Sequence, residues 1–346
     1  MKPGIGGTIV AIEPRFRQLR METTLDCPLL CRHCSVFAAP GNPRSMDERI
    51  MLDLVDAFAG LGGEELTITG GEPLVSFDKT VRVLDQARER GLKTVVFTSG
   101  VLRRDGRLEP LSPEAFSALA ASLDRLVFTL YSASPGDHDY ITGVAGSHVL
   151  AVGAIRGAVQ AGIQTQIHFV PMRNPGSELR RLHVLAGALG VGTIRVIRFV
   201  SHGRARAEAD LRPTAADLRE LRRAVEELQS AGGVNVRVGP AFRFLTTSAP
   251  YCTAGIEELV ISSDGRVYPC SGFIGYDGPE AIGNVFESDL RDIWEHAPFL
   301  VAMRDLANAR ARGLSVNRSG CPAQKAFVAG RITDEIADPD AGFAAN

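Results

Sequence analysis

Short apolar runs alternate with longer amphipathic stretches over the first two thirds of the chain. Runs rich in apolar and β-branched residues predict six strands, at 16–24, 66–68, 94–97, 125–131, 164–170 and 194–200. Apolar residues at helical spacing predict helices at 46–59, 78–90, 112–121, 147–161, 178–189 and 214–231. Ser45 is predicted to cap the first helix, and residues 134–143 are predicted to form a polar loop.

The strand–helix repeats favour a parallel sheet, because parallel neighbours need a crossover helix between them. Six units are fewer than a closed (β/α)8 barrel has, so we expect an α/β fold of the partial (β/α)6, TIM-like type. In the last third, strands at 258–261 and 266–268 flank a Ser-Ser-Asp-Gly turn, and amphipathic segments follow at 290–297 and 299–311. This pattern predicts a small C-terminal α+β unit. The predicted boundaries are an N-terminal arm at 1–15, the partial barrel at 16–232, the C-terminal unit at 233–333 and a flexible tail at 334–346.

Composition adds few constraints. The 346 residues are 45% apolar and 23% charged, with a formal net charge of −2, so electrostatics give no reason to expect nucleic acid or a membrane as partner. No run of apolar residues reaches the length of a membrane span, and the N-terminus has no apolar signal core. We therefore expect a cytoplasmic protein. In that compartment six cysteines indicate metal or redox chemistry rather than disulfides.

Two short motifs follow the first two predicted strands. Cys27, Cys31 and Cys34 have the spacing C-x3-C-x2-C, which can hold three irons of a four-iron cluster and leave the fourth iron without a protein ligand. The alternative is a zinc site with His33 as the fourth ligand. The segment 69–73 reads Thr-Gly-Gly-Glu-Pro. Both motifs lie at the carboxyl ends of strands, the face of such a sheet that carries active sites.

This pair of motifs resembles the radical S-adenosylmethionine (radical SAM) superfamily. The resemblance implies that Cys27, Cys31 and Cys34 ligate a [4Fe-4S] cluster whose open iron chelates S-adenosylmethionine. Reductive cleavage of that cofactor would give a 5′-deoxyadenosyl radical, with a one-electron donor such as flavodoxin or ferredoxin as partner. The cofactor-binding residues that the resemblance implies are His33, Gly70, Gly71, Glu72 (near the ammonium group), Pro73, Ser99, Thr129, Ser132 and Arg198. For the residues after the third and fourth strands, turn formation is the alternative role.

The other three cysteines, Cys252, Cys270 and Cys321, all lie in the last third, and the first two fall in the pattern C-x12-G-x4-C. This arrangement resembles the twitch domain, a shortened SPASM domain, and implies an auxiliary [4Fe-4S] cluster. A full SPASM domain has seven cysteines, so three here leave an iron for substrate, water or a non-cysteine residue. Inert buried thiols, or one thiol acting as a hydrogen-atom donor, are the alternatives.

Three functional hypotheses follow. We expect a radical SAM enzyme that dehydrogenates, epimerises or decarboxylates a small natural-product intermediate such as a sugar, aminocyclitol or nucleoside. The alternative is a peptide-modifying (RiPP) maturase that makes a cross-link or an epimer. Against it stands the short stretch before Cys27, 26 residues, in which a winged-helix peptide-recognition domain does not fit. A non-catalytic iron–sulfur scaffold is the third hypothesis.

Overall fold

The structure is a computed structural model that describes residues 12–239, 241–242, 252–279, 282–312, 314, 320–336 and 338. Among these residues the strands are β1 Gln18–Glu22, β2 Glu65–Thr69, β3 Lys93–Thr98, β4 Leu102–Arg104, β5 Arg107–Glu109, β6 Arg125–Thr129, β7 Thr165–Phe169, β8 Thr193–Val196, β9 Asn235–Val238, β10 Glu258–Ile261, β11 Arg266–Tyr268 and β12 Gly283–Asn284. The helices are α1 Glu48–Gly60, α2 Phe77–Glu89, α3 Pro113–Ser122, α4 Pro135–Thr142, α5 Ser147–Gln160, α6 Pro175–Leu189, α7 Ala215–Ala231, α8 Leu290–His296, α9 Pro298–Ala311 and α10 Pro322–Ala329.

Ten of these strands form one sheet in the order β12-β11-β10-β1-β2-β3-β6-β7-β8-β9. In this order, all neighbouring strands between β10 and the far edge at β9 pair in parallel. The pairs β10-β11 and β11-β12 are antiparallel. The expected partial barrel is confirmed. The hairpin is also present, but its first strand pairs with β1 and continues the parallel sheet. The short strand β9, which the sequence pattern did not predict, extends the opposite edge.

Side chains alternate between two environments along each strand of the sheet, as the two-residue repeat of a strand requires. Leu19 and Met21 of β1 are fully buried in the main apolar core, which also contains the buried faces of the flanking helices. The intervening residue, Arg20, points to the other face, where it forms an ion pair of 2.9 Å with Glu258. That face therefore carries the Arg20–Glu258 ion pair, and the helices cover the opposite, apolar face.

Helix boundaries follow local capping chemistry, with two corrections to the sequence predictions. Asp47, not Ser45, caps α1, because its side chain accepts hydrogen bonds from the amides of Arg49 and Ile50. Residues 134–143 are not a loop: Pro135 begins α4, and Gly143 ends it in the left-handed conformation, with φ of 69°.

The predicted flexible tail is ordered where the structure describes it. Asp334 accepts hydrogen bonds from Arg310 and Lys325, and Asp338 forms two bonds of 2.5 Å with Arg198. All of these charged groups are buried. The first part of the tail therefore anchors the C-terminal region, while residues 337 and 339–346 lie outside the described part. Of the predicted N-terminal arm, only residues 12–15 are described.

No single helix in the described part of the chain is long and apolar enough to cross a membrane. The helices α4 and α5 meet that test only together, across a bend of 104°.

Candidate active site at the carboxyl edge of the sheet

The two sequence motifs are in direct backbone contact. The amide of Gly71 donates to the carbonyl oxygen of Thr24 at 2.6 Å, and the amide of Glu72 donates to that of Asp26 at 2.8 Å. A Cβ atom on Gly70 would lie 2.5 Å from the Thr24 oxygen, and one on Gly71 would lie 2.4 Å from the Asp26 oxygen. The glycines are therefore required for the close approach of the turn to the start of the cysteine loop.

Replacing Gly71 with alanine should destabilise the protein by roughly 1–3 kcal/mol, the usual cost of overpacking a site that cannot relax. Urea unfolding would measure the loss, and iron content after anaerobic reconstitution should fall with it. Gly60→Ala is the matched control, since a Cβ at Gly60 meets no atom within 4 Å. Equal unfolding midpoints for the two variants would contradict the packing role.

Glu72 binds protein groups with both carboxylate oxygens. Oε1 accepts from the Thr98 hydroxyl at 2.8 Å and from the Leu74 amide at 3.2 Å. Oε2 accepts from the Ser99 amide at 2.8 Å and the Ser99 hydroxyl at 2.6 Å. Burial raises the pKa of Glu72, and these hydrogen bonds oppose that shift. Glu72 therefore connects the turn after β2 to the turn after β3, and the Ser99 hydroxyl belongs to the same network.

The end of α4 supports the cysteine loop from another side. The amide of Leu30 donates to the carbonyl oxygen of Thr142 at 3.0 Å, and the amide of Arg32 donates to that of Ile141 at 2.9 Å. A Cβ on Gly143 would lie 2.8 Å from the Leu30 oxygen. The residues that the pattern assigned to a loop are thus a helix that holds the middle of the cysteine motif.

Arg204 is a positioning residue whose role the sequence did not show. Its amide donates to the carbonyl oxygen of Cys34 at 2.9 Å, and its guanidinium donates to those of Cys31 and Ala38 at 2.8 Å each. The preceding Gly203, with φ of 60°, permits the approach, since a Cβ there would lie 2.4 Å from the Cys34 oxygen. In the structure Arg204 therefore binds the backbone of the cysteine loop.

The three thiols of this loop lie close together and are partly or fully buried. Burial and the neighbouring cysteines raise the pKa of Cys27, and they raise the pKa of Cys31 to about 12. Without a cation, the Cys27 and Cys31 thiols stay protonated, because thiolates in an apolar site repel one another. Bound iron reverses this balance, since a coordinating thiol loses its proton. The donor set therefore fits an iron–sulfur cluster.

His33 lies between Cys31 and Cys34 in the cysteine loop. Its ring contacts the ring of Tyr131 edge-on at 4.6 Å, and its buried Nδ1 has no hydrogen-bond partner among the described residues. Burial, with a contribution from Arg204, lowers the pKa of His33 to about 3. The ring is therefore neutral and able to pack against an adenine, and its role in binding that base stays a prediction.

The other residues predicted to contact the cofactor differ in whether their side chains already bind groups of the protein. Pro73 begins a short 3-10 helix and is buried. Thr129 ends β6 next to His168 of β7. Ser132 donates to Glu178 at 3.0 Å and accepts from the Ser134 amide, so it serves the turn. The guanidinium of Arg198 forms the buried ion pair with Asp338, and its role in cofactor binding stays a prediction.

Cys252, Cys270 and Cys321 also come together, in a second apolar cluster. Burial and Cys321 raise the pKa of Cys252 to about 12, and burial and Glu258 raise the pKa of Cys270. The hairpin places the first two cysteines, and Cys321 lies at the N-terminus of α10, where its amide donates to Asp338 at 2.5 Å. The thiols thus form a second donor set suited to iron and sulfide.

Comparison with known proteins agrees with both sites. Residues 21–180 match the profile of the Radical SAM superfamily, and residues 252–317 match that of SPASM, an iron–sulfur cluster-binding domain. The chain therefore contains a radical SAM domain followed by a C-terminal SPASM domain, and the cofactors of these domains are S-adenosylmethionine, a [4Fe-4S] cluster and an auxiliary iron–sulfur cluster. The match supports an iron–sulfur cluster over the zinc alternative for the first motif.

Several curated proteins resemble the chain over most of its length. The AdoMet-dependent heme synthase of Methanosarcina barkeri is 25% identical, over 94% of this chain and 97% of that protein. The PqqA peptide cyclase of Ruegeria pomeroyi is 29% identical, over 89% of this chain and 83% of that protein. The mycofactocin maturase MftC of Mycobacterium ulcerans is also 29% identical, over 90% and 84%.

Solved structures confirm the fold. Streptococcus suis SuiB bound to precursor peptide SuiA superposes with a TM-score of 0.75 at 18% identity, covering 95% of this chain and 76% of SuiB. The structure of anSMEcpe with bound AdoMet gives a TM-score of 0.68 at 13% identity, covering 94% of each chain. Because the sequence identities are this low, the similarity to these structures is evidence for the fold alone.

Proposed function

We propose that this protein is a maturase that modifies a peptide through a substrate radical. The observation that carries the proposal is its similarity to a PqqA peptide cyclase and to the mycofactocin maturase MftC, each 29% identical over about nine tenths of this chain. These relatives support the peptide alternative over the small sugar, aminocyclitol or nucleoside substrate expected from the sequence. The short stretch before Cys27 was the argument against it, and relatives of this kind outweigh that argument.

In this proposal Cys27, Cys31 and Cys34 hold the radical-generating cluster, and Cys252, Cys270 and Cys321 hold the auxiliary one. When bound, the first cluster and S-adenosylmethionine supply the 5′-deoxyadenosyl radical that removes a hydrogen atom from the substrate. The protein itself holds the cysteine loop in place. Glu72, the end of α4 and Arg204 fix the cysteine loop through backbone contacts, and buried apolar side chains around the thiols exclude water.

The similarity to an AdoMet-dependent heme synthase, which covers 94% of this chain, supports a second candidate substrate, a heme precursor. Deuterium transfer from the substrate to 5′-deoxyadenosine distinguishes a peptide substrate from a heme precursor. Short peptides encoded beside the gene would be made with deuterated residues and incubated anaerobically with reconstituted enzyme, S-adenosylmethionine and a one-electron reductant. A deuterated tetrapyrrole would be tested in parallel.

We expect deuterium in 5′-deoxyadenosine from a peptide, together with a mass change in that peptide. The Cys31→Ala enzyme is the control and should transfer none. Deuterium transfer from the tetrapyrrole alone would overturn the peptide proposal in favour of the second candidate. The electron donor, predicted from the sequence to be flavodoxin or ferredoxin, stays a prediction.

A further inference from the structure

A cavity of about 220 Å³ lies between the cysteine loop and the hairpin of the SPASM domain. Residues 35–37 of the cysteine loop line one side, and residues 262–264 of the hairpin turn line the other. The volume is below the roughly 300–1,000 Å³ of sites for drug-sized ligands, so it suits a single amino-acid side chain. The exposed Phe37 and Arg206 at its edge show that it opens to solvent.

Several polar side chains that line this cavity are buried, and His202 and Glu22 are two of them. His202 is only 3% exposed, and neither of its ring nitrogens has a hydrogen-bond partner among the described residues. The ring stacks on Phe327 at 5.4 Å. Glu22, at the end of β1, is 4% exposed. An orphaned buried imidazole is costly unless a ligand satisfies it, so the cavity is built for a polar group.

The charges around the cavity indicate the sign of that group. Arg44, Arg206 and Arg266 line it, against the single carboxylate of Asp264. Asp264 lies 3.5 Å from Arg44 and 3.7 Å from Arg266. Arg206 lies over the ring of Phe327 at 5.6 Å and has no acidic partner in the described part of the chain. The excess of guanidinium groups favours an anion.

Glu22 does not cancel this preference. Burial, together with Asp264, raises the pKa of Glu22 to about 8, against the opposing effects of the Ser263 amide and of Arg44. At neutral pH the carboxyl is therefore mainly protonated and able to donate a hydrogen bond. Burial and Arg206 lower the pKa of His202 to about 4, so its ring is neutral and offers one N–H donor. Both donors suit an incoming carboxylate.

We propose that this cavity binds the side-chain carboxylate of an acidic residue in the peptide substrate, with His202 and Glu22 as donors and Arg206 as counter-charge. The inference rests on the proposed function for its peptide, but the cavity itself is defined by this chain's own residues. Bound there, an acidic residue would anchor the peptide beside the cysteine loop. These residues would then determine which peptide position reaches the radical.

The test measures binding to the reconstituted enzyme by ligand-observed NMR, with N-acetyl-glutamate N-methylamide and its glutamine counterpart as probes. The glutamate probe should bind about tenfold more tightly, the ratio expected for one charge-assisted hydrogen bond. Arg206→Gln, an exposed change that leaves the core intact, should remove about the same factor. His202→Phe, which keeps the stacking ring, should weaken binding as strongly. Arg49→Gln on the outer surface of α1 is the control and should change nothing.

The pH profile gives an independent readout. Binding of the glutamate probe should weaken as the pH rises from 7 through the Glu22 pKa of about 8, because an ionised Glu22 repels a carboxylate. The other charged groups that line the cavity are Asp264, Arg44, Arg206 and Arg266. Tyr268 also lines the cavity, and burial raises its pKa, so it stays neutral there. Glu22→Gln, which remains a donor, should flatten the profile.

Equal binding of the two probes, unaffected by Arg206→Gln and His202→Phe, would overturn the inference. The outcome is separable from that of the proposed function. Deuterium transfer from a peptide without selective binding of the glutamate probe would remove the cavity proposal alone. Selective binding of the probe by an enzyme that modifies no peptide would remove the proposed function and leave a carboxylate site.

Discussion

Cys31→Ala should lose both the first cluster and the cleavage of S-adenosylmethionine. Anaerobically reconstituted wild-type protein should bind roughly eight irons, as two four-iron clusters require, and the variant roughly four. The same variant should form no 5′-deoxyadenosine above background. The reason is the ligand count: with one iron reserved for the cofactor, three thiolates are the whole protein contribution, and two do not retain the cluster.

The neighbouring Ser35→Ala provides the matched control, since Ser35 is partly buried on the same loop and is not a predicted ligand. It should keep the full iron content and normal 5′-deoxyadenosine formation. The two effects in Cys31→Ala should also appear together, because the cofactor is cleaved at the open iron of the cluster that this variant loses. Full iron content in Cys31→Ala, with normal cofactor cleavage, would show that the C-x3-C-x2-C motif does not hold the radical-generating cluster.

Cys270→Ala should give the complementary result. Iron should again fall to roughly four per chain, but 5′-deoxyadenosine should still form, because the first thiol site is untouched. Modified product should disappear. Cys270 lies in the second buried thiol group, with Cys252 and Cys321 contributing to its raised pKa, so loss of one thiol removes a third of the cysteine ligands there.

Cys252→Ala repeats this experiment at the other end of the hairpin. It controls for a folding defect that is specific to the Cys270→Ala variant. Circular dichroism should show an unchanged fold in both variants, since the sheet is joined through β10 and not through these side chains. If Cys252→Ala leaves the iron count unchanged, Cys252 is not a ligand. If both variants keep eight irons and full product yield, the three thiols are inert.

The order of strands and helices was predictable because it depends on local periodicity. Runs rich in apolar and β-branched residues identified every strand of the predicted barrel. The incorrect predictions arose where two local sequence signals conflicted. Residues 134–137 read Ser-Pro-Gly-Asp, a composition typical of turns, yet proline is also favoured in the first helical turn. The four residues of β9 gave too short a pattern to detect.

The sequence by itself determined the chemistry: the two cysteine patterns and the Gly-Gly-Glu turn identified radical SAM catalysis and an auxiliary cluster, because metal ligation and close backbone approach tolerate few other residues. Only the tertiary structure decided how these motifs are held. Arg204 and the end of α4 bind the cysteine loop from distant positions, Asp338 pairs with Arg198, and the hairpin joins β1. Such contacts between residues more than a hundred positions apart depend on chain topology, which leaves no periodic signal in the sequence. The cavity between Glu22 and His202 belongs to the same class, since it exists only where two distant segments meet.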